Sequence, residues 1–152
     1  MKILYGLLFV LHGFVGLGAL AGGLAAIANP EEPLGVPIEI LKNSPFDNFL
    51  IPGIILFTVI GLGNIYSALM MFFKSKFQGY ISSLFSWALV IWIIVQCFMI
   101  NNVASLHIIF FTIGLIEAIL STMILYNKRL FPVNLILNTY SKIKKKYNDT
   151  AL

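Results

Sequence analysis

Four apolar runs of membrane-spanning length dominate this sequence of 152 residues, at about 3–28, 49–73, 78–100 and 105–126. A helix crosses the hydrocarbon core of a bilayer in roughly 20 apolar residues. Within that core a lone segment must satisfy its own backbone hydrogen bonds, so unbroken apolar runs such as these span as helices. Lys74-Ser75-Lys76 and Asn101-Asn102 are the connections between the last three runs. Connections this short make antiparallel neighbours. The expected fold is therefore all-α, a four-helix antiparallel bundle integral to a membrane. Residues 1–127 form the membrane domain, leaving too little chain for a soluble catalytic domain. Composition agrees: 11% of residues are charged, where a soluble domain carries roughly 25%.

The first run follows Lys2 and ends in Ala26-Ile27-Ala28, which mimics a secretory signal and its cleavage site. A signal core is only about 7–15 residues long, so the run is read as a retained span. Gly16, Ala19 and Gly23 share the helical face of His12. Small residues let another helix approach closely, whether from the same chain, a protein partner or a second copy.

Residues 29–48 form an outer loop broken by Pro30, Pro33, Pro37 and Pro45. Within it, Ser44-Pro45-Phe46-Asp47 has the order of a helix start, with Ser44 as the cap and Pro45 at the first helical position. Pro52 would kink the second span or mark a step into it. Beyond the fourth span, residues 128–152 form a basic tail. Its apolar residues recur at helical spacing beside Lys142, Lys144, Lys145 and Lys146, the pattern of an amphipathic helix on an anionic lipid surface.

The charges orient the bundle. Nine of the ten basic residues lie on one side of a four-span chain, Lys42 being the exception, while Glu31, Glu32, Glu39 and Asp47 lie on the other. The positive-inside rule then places both termini in the cytoplasm, in the plasma (inner) membrane. The positive charge is a membrane signal and does not point to nucleic acid.

The polar residues inside the spans are few. Depth counts at about 1.5 Å per residue place His12, Asn64 and Glu117 at one level, about 14 Å from the cytoplasmic ends. On the third span that level falls at Ser86 or Trp87. In lipid such groups turn inward and pair, so a layer of His12, Asn64, Ser86 and Glu117 is expected, with Ser67, Ser121 and Thr122 one turn closer to the cytoplasm. Gln96, Asn101, Asn102 and His107 make a second polar level near the outer surface. The inner layer reads either as a neutral or paired carboxyl pinning four helices in register, or as a proton- or ligand-binding site. One histidine and one glutamate are too few for a metal site, and no cofactor motif is present. The single cysteine, Cys97, allows no intrachain disulfide. No nucleophile motif surrounds any serine, so no catalytic residue is assigned. Phe57-Thr58, Gly61-Leu62 and Asn64 also match Phe111-Thr112, Gly114-Leu115 and Glu117 if the second span carries one extra residue.

The block from Leu41 to Phe57, with Ser44-Pro45-Phe46 and Leu50-Ile51-Pro52-Gly53, resembles a segment of uncharacterised small prokaryotic four-span membrane proteins. His12-Gly13, Gly61-Leu62-Gly63-Asn64 and the Trp92-to-Gln96 spacing extend the resemblance over most of residues 3–127. It implies a four-span fold and no activity. The layout is more distantly similar to DoxX-like membrane proteins. Three functions fit these observations: a small binding or interaction subunit, an oligomeric carrier of protons or a polar ligand using Glu117 and His12, and a membrane-embedded enzyme on a lipid or quinone-like substrate. Size favours the first, and four spans without a clear inverted repeat weigh against a monomeric carrier.

Overall fold

The structure is a computed structural model describing residues 2–42, 44–128 and 138–143. It is all-helical over these residues apart from turns and loops. Its four long helices are α1 (Lys2–Ala28), α2 (Leu50–Phe72), α3 (Gln78–Ile100) and α4 (Ser105–Asn127), each long and apolar enough to cross a membrane. They pack as a ring: α1 against α2, α2 against α3, α3 against α4, and α4 back against α1.

The ring buries a set of polar residues between apolar clusters and is apolar outside. His12, Asn64, Ser67, Ser82, Ser86, Glu117 and Ser121 are fully buried, whereas Leu17, Leu24, Leu84, Ile91 and Ile119 are exposed. Buried polar residues and a broad exposed apolar surface are the informative departures from a protein folding in water. Two apolar clusters bracket the buried polar residues. Leu8, Met71 and Ile124 form one. Val15, Ala19, Ile60, Leu89, Trp92 and Ile93 form the other.

Two glycines explain how closely α1 meets α2. A Cβ on Gly23 would lie 2.6 Å from the backbone nitrogen of Phe57, and one on Gly16 would lie 2.8 Å from the Ile65 side chain. Any larger residue would push the helices apart. These two small residues of α1 are therefore taken up by contacts within the chain.

α2 departs from the sequence expectation in two ways. Ser44-Pro45-Phe46-Asp47 does not start the helix, which begins at Leu50. The Ser44 hydroxyl instead accepts the Phe46 N–H in a local turn, and the Asn48 side chain accepts the Leu50 N–H. Serine turns of this kind compete with capping. Pro52 falls in the first helical turn, where no intrahelical N–H bond is lost. The break in regularity comes later, as a π-helical stretch over Leu56–Leu62.

The loop between α1 and α2 is tied at its base by the Phe49 N–H donating to the Pro30 carbonyl at 2.9 Å. Its turn at Pro33–Gly35 packs on α1 and its turn at Ile38–Leu41 packs on α3. Residues 138–143 are helical and exposed. The rest of the tail helix expected from sequence, including Lys144, Lys145 and Lys146, lies outside the described residues.

Candidate functional site: a buried His–Asn–Ser–Glu cluster

His12 is the hub of the buried polar residues. Its Nδ1 lies 2.7 Å from Asn64 Oδ1, and its Nε2 lies 2.7 Å from the Ser82 hydroxyl. The Asn64 amide nitrogen donates to the Ile60 carbonyl at 2.8 Å. That bond fixes Asn64 Oδ1 as the acceptor toward His12, so His12 Nδ1 carries the hydrogen. His12 Nε2 then accepts the Ser82 hydroxyl proton. For a neutral imidazole the network thus selects the Nδ1–H tautomer, with both nitrogens satisfied.

Glu117 is the exception within this network. Its Oε1 stands 3.3 Å from His12 Nδ1. The single Nδ1 hydrogen is already directed at Asn64, and neither Glu117 oxygen has a hydrogen-bond partner among the described residues. Both side chains are fully shielded from solvent. The 3.3 Å approach is therefore a close contact without a hydrogen bond. Buried polar groups are nearly always paired, so an orphan carboxyl needs an explanation. Charge on it would cost several kcal/mol or more in such surroundings.

The structure brings His12, Asn64 and Glu117 together. The hydroxyl in contact with His12 is Ser82, one turn before the expected Ser86. Ser86 is fully buried but donates to the Ser82 carbonyl of its own helix at 2.7 Å. Helical side chains lean toward the N-terminus of their own helix, so the long imidazole reaches about one turn away from its backbone level. The lower hydroxyls also serve their own helices. Ser67 donates to the Gly63 carbonyl and Ser121 to the Ala118 carbonyl. Thr122 is exposed and donates to the Ala118 carbonyl as well.

The outer polar residues stay separate from this cluster. Asn101 ends α3 in the left-handed conformation, with φ 49°. The Asn102 side chain accepts the Val103 N–H. The Ala104 N–H donates to His107 Nδ1 at 3.1 Å, which leaves Nε2–H as the second ring donor. Asn101, Asn102 and His107 border a hollow of about 710 Å³ with Cys97 and Phe111. Gln96 and His107 border a second cavity of about 460 Å³, whose other walls are apolar. Among the described residues no three of His, Cys, Asp and Glu stand together as a metal site would require.

Sequence reasoning missed three features. The contacting hydroxyl was one turn from the expected one. The π-helical stretch had a trace in the extra residue of the second span. The buried Trp92 indole N–H, which has no partner among the described residues, had none. Comparison with known protein families, curated proteins and solved structures finds no match to this chain. The chemistry of the site therefore rests on its own geometry.

Proposed function

We propose that this is a small integral membrane protein of the binding class whose centre holds an exchangeable proton between Glu117 and His12. The observation that carries the reading is the orphan carboxyl, 3.3 Å from an imidazole nitrogen and without a hydrogen bond of its own. A purely structural layer would satisfy this group, as it does every polar atom of His12 and Asn64. A carboxylate–imidazolium pair forms when Glu117 has lost its proton and the ring has gained one on Nε2, its one free lone pair; Nδ1, which faces Glu117, already carries a hydrogen, so these are two linked exchanges and not a direct transfer. Ser82 can respond by turning its hydroxyl from donor to acceptor. The Asn64 oxygen continues to accept from Nδ1, or yields that hydrogen to Glu117.

The setting for this site is a membrane crossed four times, with neighbouring helices antiparallel and both termini cytoplasmic in the inner membrane. Four apolar helices, an apolar exterior and the one-sided basic residues support it. On this reading the basic residues of the tail, Lys142 among them, meet anionic lipid at the cytoplasmic surface.

Infrared spectroscopy of the protein in lipid tests the proton site. A neutral carboxyl band that shifts in D₂O and disappears in Glu117→Gln is the expected result. A Glu117 band that never exchanges in D₂O would make the cluster purely structural and end this reading.

A further inference from the structure

The apolar cavity of about 460 Å³ lies one helical turn beyond the His12 cluster. Its floor is Val15, Ile60 and Leu89, each three to four residues along its helix from a buried polar residue. Val15 comes after His12, Ile60 before Asn64, and Leu89 after Ser86. Its volume falls in the range of about 300–1,000 Å³ usual for small-molecule sites. Almost all its lining is apolar, and apolar cavities exclude water and accept apolar guests.

The cavity opens along the seam between α1 and α4. Gly18 and Ala21 line it yet are exposed, so its wall reaches the outside of the bundle there. Small residues leave this stretch of α1 thin opposite Leu106 and Phe110. One turn closer to the polar cluster the same seam is shut by Phe14 stacked on Phe110, with ring centroids 6.0 Å apart. The polar lining residues Gln96 and His107 lie toward the helix ends on the loop side. His107 offers its Nε2–H as a donor, because Nδ1 already accepts the Ala104 N–H.

We infer that this cavity takes a single hydrocarbon chain of a membrane lipid, entering sideways between α1 and α4 with its ester oxygens at Gln96 and His107. The inference rests on the membrane setting proposed above, and that setting identifies the occupant. A lateral opening in the apolar part of the bundle faces acyl chains, and an unfilled cavity of this size destabilises a packed core.

The two tryptophans make the test. Trp92 is 7% exposed and lines the cavity, whereas Trp87 is 50% exposed on the outside of α3. Trp92→Phe leaves Trp87 as a reporter of surrounding lipid, and Trp87→Phe leaves Trp92 as a reporter of the cavity. Each variant is placed in vesicles of phosphatidylcholine brominated in its acyl chains. Loss of emission is expected from both, despite the burial of Trp92. Filling the seam with Gly22→Leu or Ala21→Leu in the Trp87→Phe background should restore Trp92 emission. A Cβ on Gly22 meets nothing closer than Leu56 at 3.5 Å, so that position tolerates a side chain. Quenching of Trp87 with Trp92 unaffected overturns the chain site alone. Trp92 quenching that survives both filling substitutions overturns it too, because bromine would then act from outside the bundle. Absence of quenching at Trp87 overturns the membrane setting, and the chain site falls with it.

Discussion

His12 and Glu117 are neighbours with opposite structural debts. The imidazole holds α1 to α2 through Asn64 and to α3 through Ser82, whereas the carboxyl makes no hydrogen bond among the described residues. Substituting them should therefore have unequal effects on stability. His12→Phe leaves Asn64 Oδ1 and Ser82 without a partner, and each orphaned group costs about 1–3 kcal/mol. Glu117→Gln preserves shape and breaks no bond, so a change of less than about 1 kcal/mol is expected. Thermal unfolding in detergent micelles measures both. A Glu117→Gln loss equal to that of His12→Phe would mean that the carboxyl is a structural partner after all.

The π-helical stretch of α2 gives physical content to the match between the second and fourth spans. The two segments align only if one residue is added between Thr58 and Gly61, and Leu56–Leu62 is where the helix widens. A π-bulge lets a helix absorb one inserted residue without rotating the turns beyond it. The flanking threonines also match. Thr58 donates to the Ile54 carbonyl at 2.7 Å and Thr112 to the Ile108 carbonyl at 2.8 Å. Beyond them, Asn64 and Glu117 both approach His12 Nδ1. Deleting Val59 should relax α2 to a regular helix and leave a folded protein. Deleting Ile113 from α4, which has no bulge to release, rotates one half of that helix by about 100° against the other. Size-exclusion profiles and melting curves of the two deletions should differ sharply. Equal tolerance would remove the bulge as the explanation of the extra residue.

Across the whole molecule, polar side chains face inward and the exterior suits hydrocarbon. Orientation is then a matter of charge. On a background of Cys97→Ser, Glu39→Cys should react in intact cells with a membrane-impermeant maleimide, and Ser141→Cys should react only after the cells are opened. The opposite pattern would invert the topology. The 29–48 loop belongs to the same scale. It carries four of the six acidic residues, and its two short turns lie across α1 and α3, with Leu34 at the cavity. The loop end of the bundle is in this way both rich in acidic residues and partly covered.

The sequence by itself determined the four helices, because each is a long apolar run bounded by turn residues. It also brought His12, Asn64 and Glu117 to one level, because depth along a helix is a simple count of residues. Tertiary structure decided the rest. Ser82 replaced Ser86 because the imidazole leans away from its own backbone level, which a count of Cα positions ignores. No helix starts at Ser44, because the serine hydroxyl closed a local turn before it could cap one, and the second span begins at Leu50, one residue from the expected 49. The orphan state of Glu117 depends on which acceptor took the one hydrogen of His12 Nδ1. That is settled by the Asn64 amide donating to the Ile60 carbonyl one turn back in its own helix, within the stretch that the π-bulge reshapes. The cavity beside it depends on where small residues of α1 face large ones of α4, a matter of packing that no single helix encodes.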